Sequence, residues 1–101
     1  MPILEKVQAR LYADYLFYCP GCEEHHFFRV GAGEPSWQFN GDMLKPTVTP
    51  SIRVRGEGTC HLYIRNGKIQ YLSDCTHGLA GQTVPLRPVE YYYDDDSSGN
   101  P

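Results

Sequence analysis

Cys60-His61-Leu62-Tyr63-Ile64-Arg65-Asn66-Gly67-Lys68-Ile69-Gln70-Tyr71 decides how this chain folds. Asn-Gly between two alternating runs marks a two-residue type I′ hairpin turn, because both turn positions require positive φ. Such a turn fixes the register. Arg65 faces Lys68, Ile64 faces Ile69, Leu62 faces Tyr71 and Cys60 faces Ser73. Cross-strand partners point to the same side. One face is then Cys60, Leu62, Ile64, Ile69 and Tyr71, the core side. The other is His61, Tyr63, Arg65, Lys68, Gln70 and Leu72, the open side.

Outward from the hairpin the chain continues to read as β. Ser51-Ile52-Arg53-Val54-Arg55 alternates cleanly and Gly56-Glu57-Gly58 is a turn. Lys45 to Ser51 holds Pro46 and Pro50; lacking N–H groups, these predict an edge or a crossing loop and not a central strand. Trp37-Gln38-Phe39-Asn40 and Lys6 to Leu11 also alternate. Tyr15 to Tyr18 is an aromatic run that leads into Cys19 and returns through His26 to Val30. After the hairpin, Asp74 to Gly81 reads as a turn or one short helical turn with Asp74 as its N-cap, and Gln82 to Leu86 as a last, edge strand.

The cysteines tie these pieces together. Cys19-Pro20-Gly21-Cys22 is a tight turn that aims two thiolates at one point. Cys60 and Cys75 flank the hairpin beside His61 and His77. A metal site of four protein ligands fits that pattern, and zinc is the ion such ligands take. Hairpin parity puts Cys60 on the core face and His61 on the other. The simplest site is Cys19, Cys22, Cys60 and Cys75. In an alternative, His77 replaces Cys75, and a knuckle in which His25 or His26 joins the two front cysteines stays open. A redox Cys-x-x-Cys would need a helix after the motif, where this chain predicts a returning strand.

With 101 residues the chain makes one domain, 1–89, with a core small enough to benefit from a metal staple. Residues 90–101 form an acidic, low-complexity tail, expected to be flexible. Glu90 and Asp94 to Asp96 carry four of the twelve acids, leaving eight against nine bases in the body. No basic stripe marks a nucleic-acid binder; Arg53, Arg55, Arg65 and Lys68 could share a sheet surface. No apolar run suits a membrane span, and Met1 to Lys6 lacks a signal-peptide layout, so a cytoplasmic setting is expected. A reducing compartment favours metal over disulfides.

Pro46-Thr47, Pro50-Ser51, Cys60-His61, Asn66-Gly67 and Asp74-Cys75-Thr76-His77-Gly78-Leu79-Ala80-Gly81 together resemble a family of small uncharacterised proteins of bacteria, phages and prophages. Some of its members carry the label "ammonia monooxygenase", which needs membrane helices and copper ligands that this sequence lacks. The resemblance spans roughly residues 15 to 87. It implies a small antiparallel, zinc-ribbon-like β domain. Members with Ser at the position of Cys75 imply His77 as the fourth ligand.

No complete catalytic motif is visible in the sequence. Two classes of function remain. A closed metal site leaves a non-enzymatic binding module, of the kind a phage uses as a host-takeover or anti-defence factor against a host protein. Its surface would be Trp37, His61, Tyr63, Arg65 and Lys68, with Gln70 and the acidic tail. An open zinc site would instead make a small metal-dependent hydrolase, with His61, Asp74 and His77 near the ion, and Ser51, Thr76 and Asn40 as further polar neighbours.

Overall fold

The computed structural model describes residues 2–10, 13–31 and 36–89. The expected acidic tail, 90–101, lies outside them, as does Leu11. The described residues hold strands and turns and no helix, as the alternation predicts. Strands β1 (Glu5–Arg10), β2 (Ala13–Cys19) and β3 (Glu24–Phe28) form an antiparallel sheet in that order. Strands β4 (Gln38–Phe39), β5 (Val48–Arg55), β6 (Thr59–Arg65), β7 (Lys68–Tyr71) and β8 (Thr83–Pro85) form a second, also in chain order.

The hairpin register is the one the Asn-Gly turn dictates: Leu62 opposite Tyr71, Ile64 opposite Ile69, Arg65 opposite Lys68. Asn66 and Gly67 sit at φ 52° and 79°. Cys60, Leu62, Ile64, Ile69 and Tyr71 are all buried. With Val48 and Ile52 they make one sheet face, which packs on Phe17, Cys19 and Phe28 of the smaller sheet. Tyr15, Phe28 and Phe39 link the two sheets, with ring centroids 4.9 to 6.0 Å apart. Beyond β8 the chain returns to the smaller sheet, where Arg87 bridges Tyr18 and Val89 N–H donates to Pro2 O.

Two local expectations are corrected. Residues 48–51 belong to β5, which is an interior strand and not an edge or crossing loop. Pro50 is tolerated because the pairing shifts there. Between the pairs Val48–Ile64 and Ile52–Leu62, β5 sets three residues, Thr49, Pro50 and Ser51, against Tyr63 alone. In such a bulge no ladder bond is asked of the proline, and the strand beyond it is re-aimed. The segment from Asp74 to Gly81 takes the first of its two expected forms, a series of turns; the helical turn is not formed, so Asp74 caps no helix.

Candidate active site

Strand parity sorts the chemistry of the five-stranded sheet onto two faces. Cys60 points into the core; His61, one residue on, points out. Ile52 is buried, so Ser51 and Arg53 point out with His61, and Arg53 stands directly opposite His61. The bulge brings Ser51 within reach: its Oγ lies 2.9 Å from His61 Nε2. On the far side of the ring, Nδ1 lies 3.0 Å from Asp74 Oδ2 and 3.2 Å from Oδ1.

These two contacts settle the tautomer. A carboxylate only accepts, so Nδ1 carries a proton, and in the neutral ring Nε2 then presents its lone pair to the serine hydroxyl. That is the arrangement of a nucleophile, a general base and its orienting acid. The His61 side chain is 21% exposed and that of Asp74 53%, so water screens the pair's Coulomb attraction. Asp74 acts here chiefly by holding the ring's orientation and tautomer.

The backbone holds Asp74 against β6. Leu72 N–H donates to His61 O at 2.8 Å. The Cys75 thiol donates to His61 O, and His61 N–H donates to the Cys75 sulfur, both at 3.2 Å. Thr76 N–H donates to Thr59 O, and Thr59 N–H to Thr76 Oγ1, both at 2.9 Å. A Cβ at Gly58 would overlap the Thr76 hydroxyl, so the β5–β6 turn needs a glycine there. Trp37 fixes the other partner: its indole N–H donates to Ser51 O at 3.1 Å. Beside it lies an open groove of about 590 Å³ lined by Gly31, Ser36, Trp37, Gln38, Thr49 and Pro50.

The buried face carries the thiols. Ligand atoms of Cys19, Cys22, His26 and Cys60 lie within 4.8 Å of one another, a set that could hold a metal ion. Cys60 also belongs to a second group with Cys75 and His77. The Cys19 thiol is drawn down to about 3, chiefly by the Cys60 thiol bonded to it and, against its burial, by His26 and Tyr71. Burial, then the charge of Cys19, pushes Cys22 up to about 12. Cys60 goes up as well, mainly because it donates to Cys19. His26 is buried and, among the described residues, its Nε2 has no hydrogen-bond partner. His77 Nε2 lies 3.4 Å from the Cys60 sulfur, while its Nδ1 accepts from Leu79 N–H at 3.2 Å. The His77 ring lies so close over Gly21 that a Cβ there would overlap it.

The residues expected to act thus separate. Ser51, His61 and Asp74 converge, but on the sheet face opposite the thiols and not around them. Asn40 is taken up in its own loop: its Oδ1 accepts from Asp42 and Thr47 N–H and its Nδ2 donates to Lys45 O. Thr76 binds Thr59, and Tyr63 lies under the Arg65 guanidinium, 4.0 Å from its ring centre. No sequence motif joins Ser51, His61 and Asp74. The available signal was parity, which puts His61 and Ser51 on the open side, and the missing information was the bulge.

Residues 3–72 match the family model described as bacterial ubiquitination-like system serine protease (BubE). The chain belongs to the BubE family. The match covers Ser51 and His61 and stops two residues short of Asp74. The search of curated proteins and that of solved structures each found no match. Membership places the chain in a bacterial family, and its Cys/His cluster makes it a candidate metal-binding member. No helix among the described residues is long and apolar enough to cross a membrane.

Proposed function

We propose that this chain is a serine protease of a bacterial ubiquitination-like system, working through Ser51, His61 and Asp74. The observation that carries this reading is the pair of contacts on His61, 2.9 Å to the serine and 3.0 Å to the carboxylate. The description of the BubE family, a serine protease of that system, supports the same chemistry.

Ser51 Oγ attacks the scissile carbonyl as His61 Nε2 takes its proton. The resulting imidazolium is stabilised by Asp74 and passes the proton to the leaving amine. Water, deprotonated by the same nitrogen, then releases the acyl group from Ser51. The groove beside Trp37 holds the substrate residues next to the scissile bond. The chemistry needs no ion, so whether the metal site is open or closed does not decide between module and enzyme. A cytoplasmic setting suits thiols that must stay reduced.

The metal serves the fold, and zinc is the ion that fits. Two thiolates on a tetrahedral zinc, with bonds of ~2.3 Å, stand about 3.8 Å apart; Cys19 and Cys60 have that sulfur separation, 3.8 Å. The unpartnered Nε2 of buried His26 completes a set of three sulfurs and one nitrogen. His77 is the weaker candidate for the fourth ligand. Its Nδ1 accepts from Leu79, so Nε2 carries hydrogen and donates to the Cys60 sulfur. Cys75 is occupied by the His61 backbone.

The test is labelling by a fluorophosphonate, which reacts with activated serines. Unsubstituted protein should be labelled at Ser51; Ser51→Ala and His61→Ala should not. Labelling that survives His61→Ala refutes the triad. For the metal, His26→Ala should lower zinc content and His77→Ala should keep it; the reverse result assigns the ligand to His77.

A further inference from the structure

The open face of the five-stranded sheet carries more charge than its fold explains. Arg53, Arg55, Arg65 and Lys68 all lie on the triad side by strand parity, and all four are exposed. No Asp or Glu occurs in β4 to β8. Of the acids around this sheet, Asp74 is taken up by His61, Glu57 lies in the β5–β6 turn, and Glu24 of β3 lines one cavity with Arg55 without pairing to it. Among the described residues none of the four cations makes an ion pair. Arg65 and Lys68 are direct cross-strand partners, and like charges so placed destabilise a sheet. Arg53 and Arg55 follow Ser51 along one strand, ~7 and ~13 Å from it at about 3.3 Å per residue.

We infer that this face docks an acidic stretch of the polypeptide being cleaved, with Arg53 and Arg55 taking its carboxylates on the side of Ser51 away from the Trp37 groove. The inference rests on the serine protease reading. Arg65 is already held over Tyr63 and by Gln70 Oε1 at 3.1 Å, so little of its freedom remains to be lost on binding. Nucleic acid fits less well. The whole chain carries −3, and the aromatic ring on this face, Tyr63, is covered by Arg65 instead of being open for base stacking.

Binding is measured with full-length Ser51→Ala protein, which keeps the probe intact. The probes are two fluorescent peptides of about 16 residues, alike except that one has Glu where the other has Gln, and a single-stranded oligonucleotide of similar length. The Glu peptide should bind at least ~10-fold tighter than the Gln peptide at about 50 mM salt, and the difference should collapse at about 300 mM. Adding Arg53→Glu and Arg55→Glu should abolish the preference, and the milder Arg→Gln pair should reduce it, with metal content showing that each variant is folded. Equal binding of the two peptides overturns the inference, as does a preference that survives the Arg→Glu pair or an oligonucleotide that outbinds the Glu peptide. Hydrolysis of a small neutral ester by unsubstituted protein reports on the triad alone. Its failure there would refute the protease reading, whereas peptide binding tests the docking face.

Discussion

His61 is the residue on which the two faces of the sheet meet. Its ring bridges Ser51 and Asp74, and its backbone is bonded to Cys75, two residues from His77. Ser51→Ala or His61→Ala should each lower kcat/KM by at least ~10³-fold, because members of a triad act as a unit. Asp74→Asn should cost ~10²–10³-fold, since an amide can present its N–H to Nδ1 and favour the wrong tautomer. Steady-state kinetics on one ester substrate checks all three, and an Asp74→Asn enzyme of full activity would remove Asp74 from the mechanism. The sequence offered these three residues as neighbours, but gathered around a metal. Parity already set His61 on the face away from Cys60; it could not show that Ser51 and Asp74 join His61 there.

At the level of elements, the β5 bulge and the turn after β7 build the site. The bulge turns Ser51 toward His61, and the bonds of Leu72, Cys75 and Thr76 to β6 bring Asp74 to the same ring. Cys75→Ala removes both bonds of the sulfur to His61. It should lower kcat more than it raises KM and leave zinc content unchanged, as kinetics with elemental analysis would show. A loss of zinc on that change would return Cys75 to the metal. Gly67 is constrained differently: at φ 79°, with Leu44 O 3.4 Å from where a Cβ would stand, Gly67→Ala should destabilise the hairpin by about 1 kcal/mol, read by thermal unfolding. The Asn-Gly hairpin was legible because its signal is local. Residues 48–51 were misread because proline argues against a strand until the bulge that accommodates it is known.

For the whole molecule, the metal group is the junction between the sheets. Cys19 ends β2, His26 lies in β3 and Cys60 in β6, so one ion there would hold both layers. Chelation should lower the melting temperature and abolish hydrolysis together, because Cys60 precedes His61 and the two cannot move apart. Hydrolysis that persists after complete metal removal would show that the triad stands without it. In the metal-free protein Cys22 and Cys60 are pushed up and hold protons at neutral pH, whereas Cys19 is a thiolate. Zinc binding should therefore release about two protons, and affinity should fall as pH falls. Calorimetry in buffers of different ionisation enthalpy counts them.

By itself the sequence determined the β architecture, the hairpin register, its buried and open faces and the gathering of cysteines. These arise from alternation, turn chemistry and residue type, which act over a few positions. Only the tertiary structure decided that Ser51, His61 and Asp74 touch, and that His26 stands among the thiols with its nitrogen free. Both depend on how separate strands lie against one another, through a shift in pairing in one case and sheet-on-sheet packing in the other.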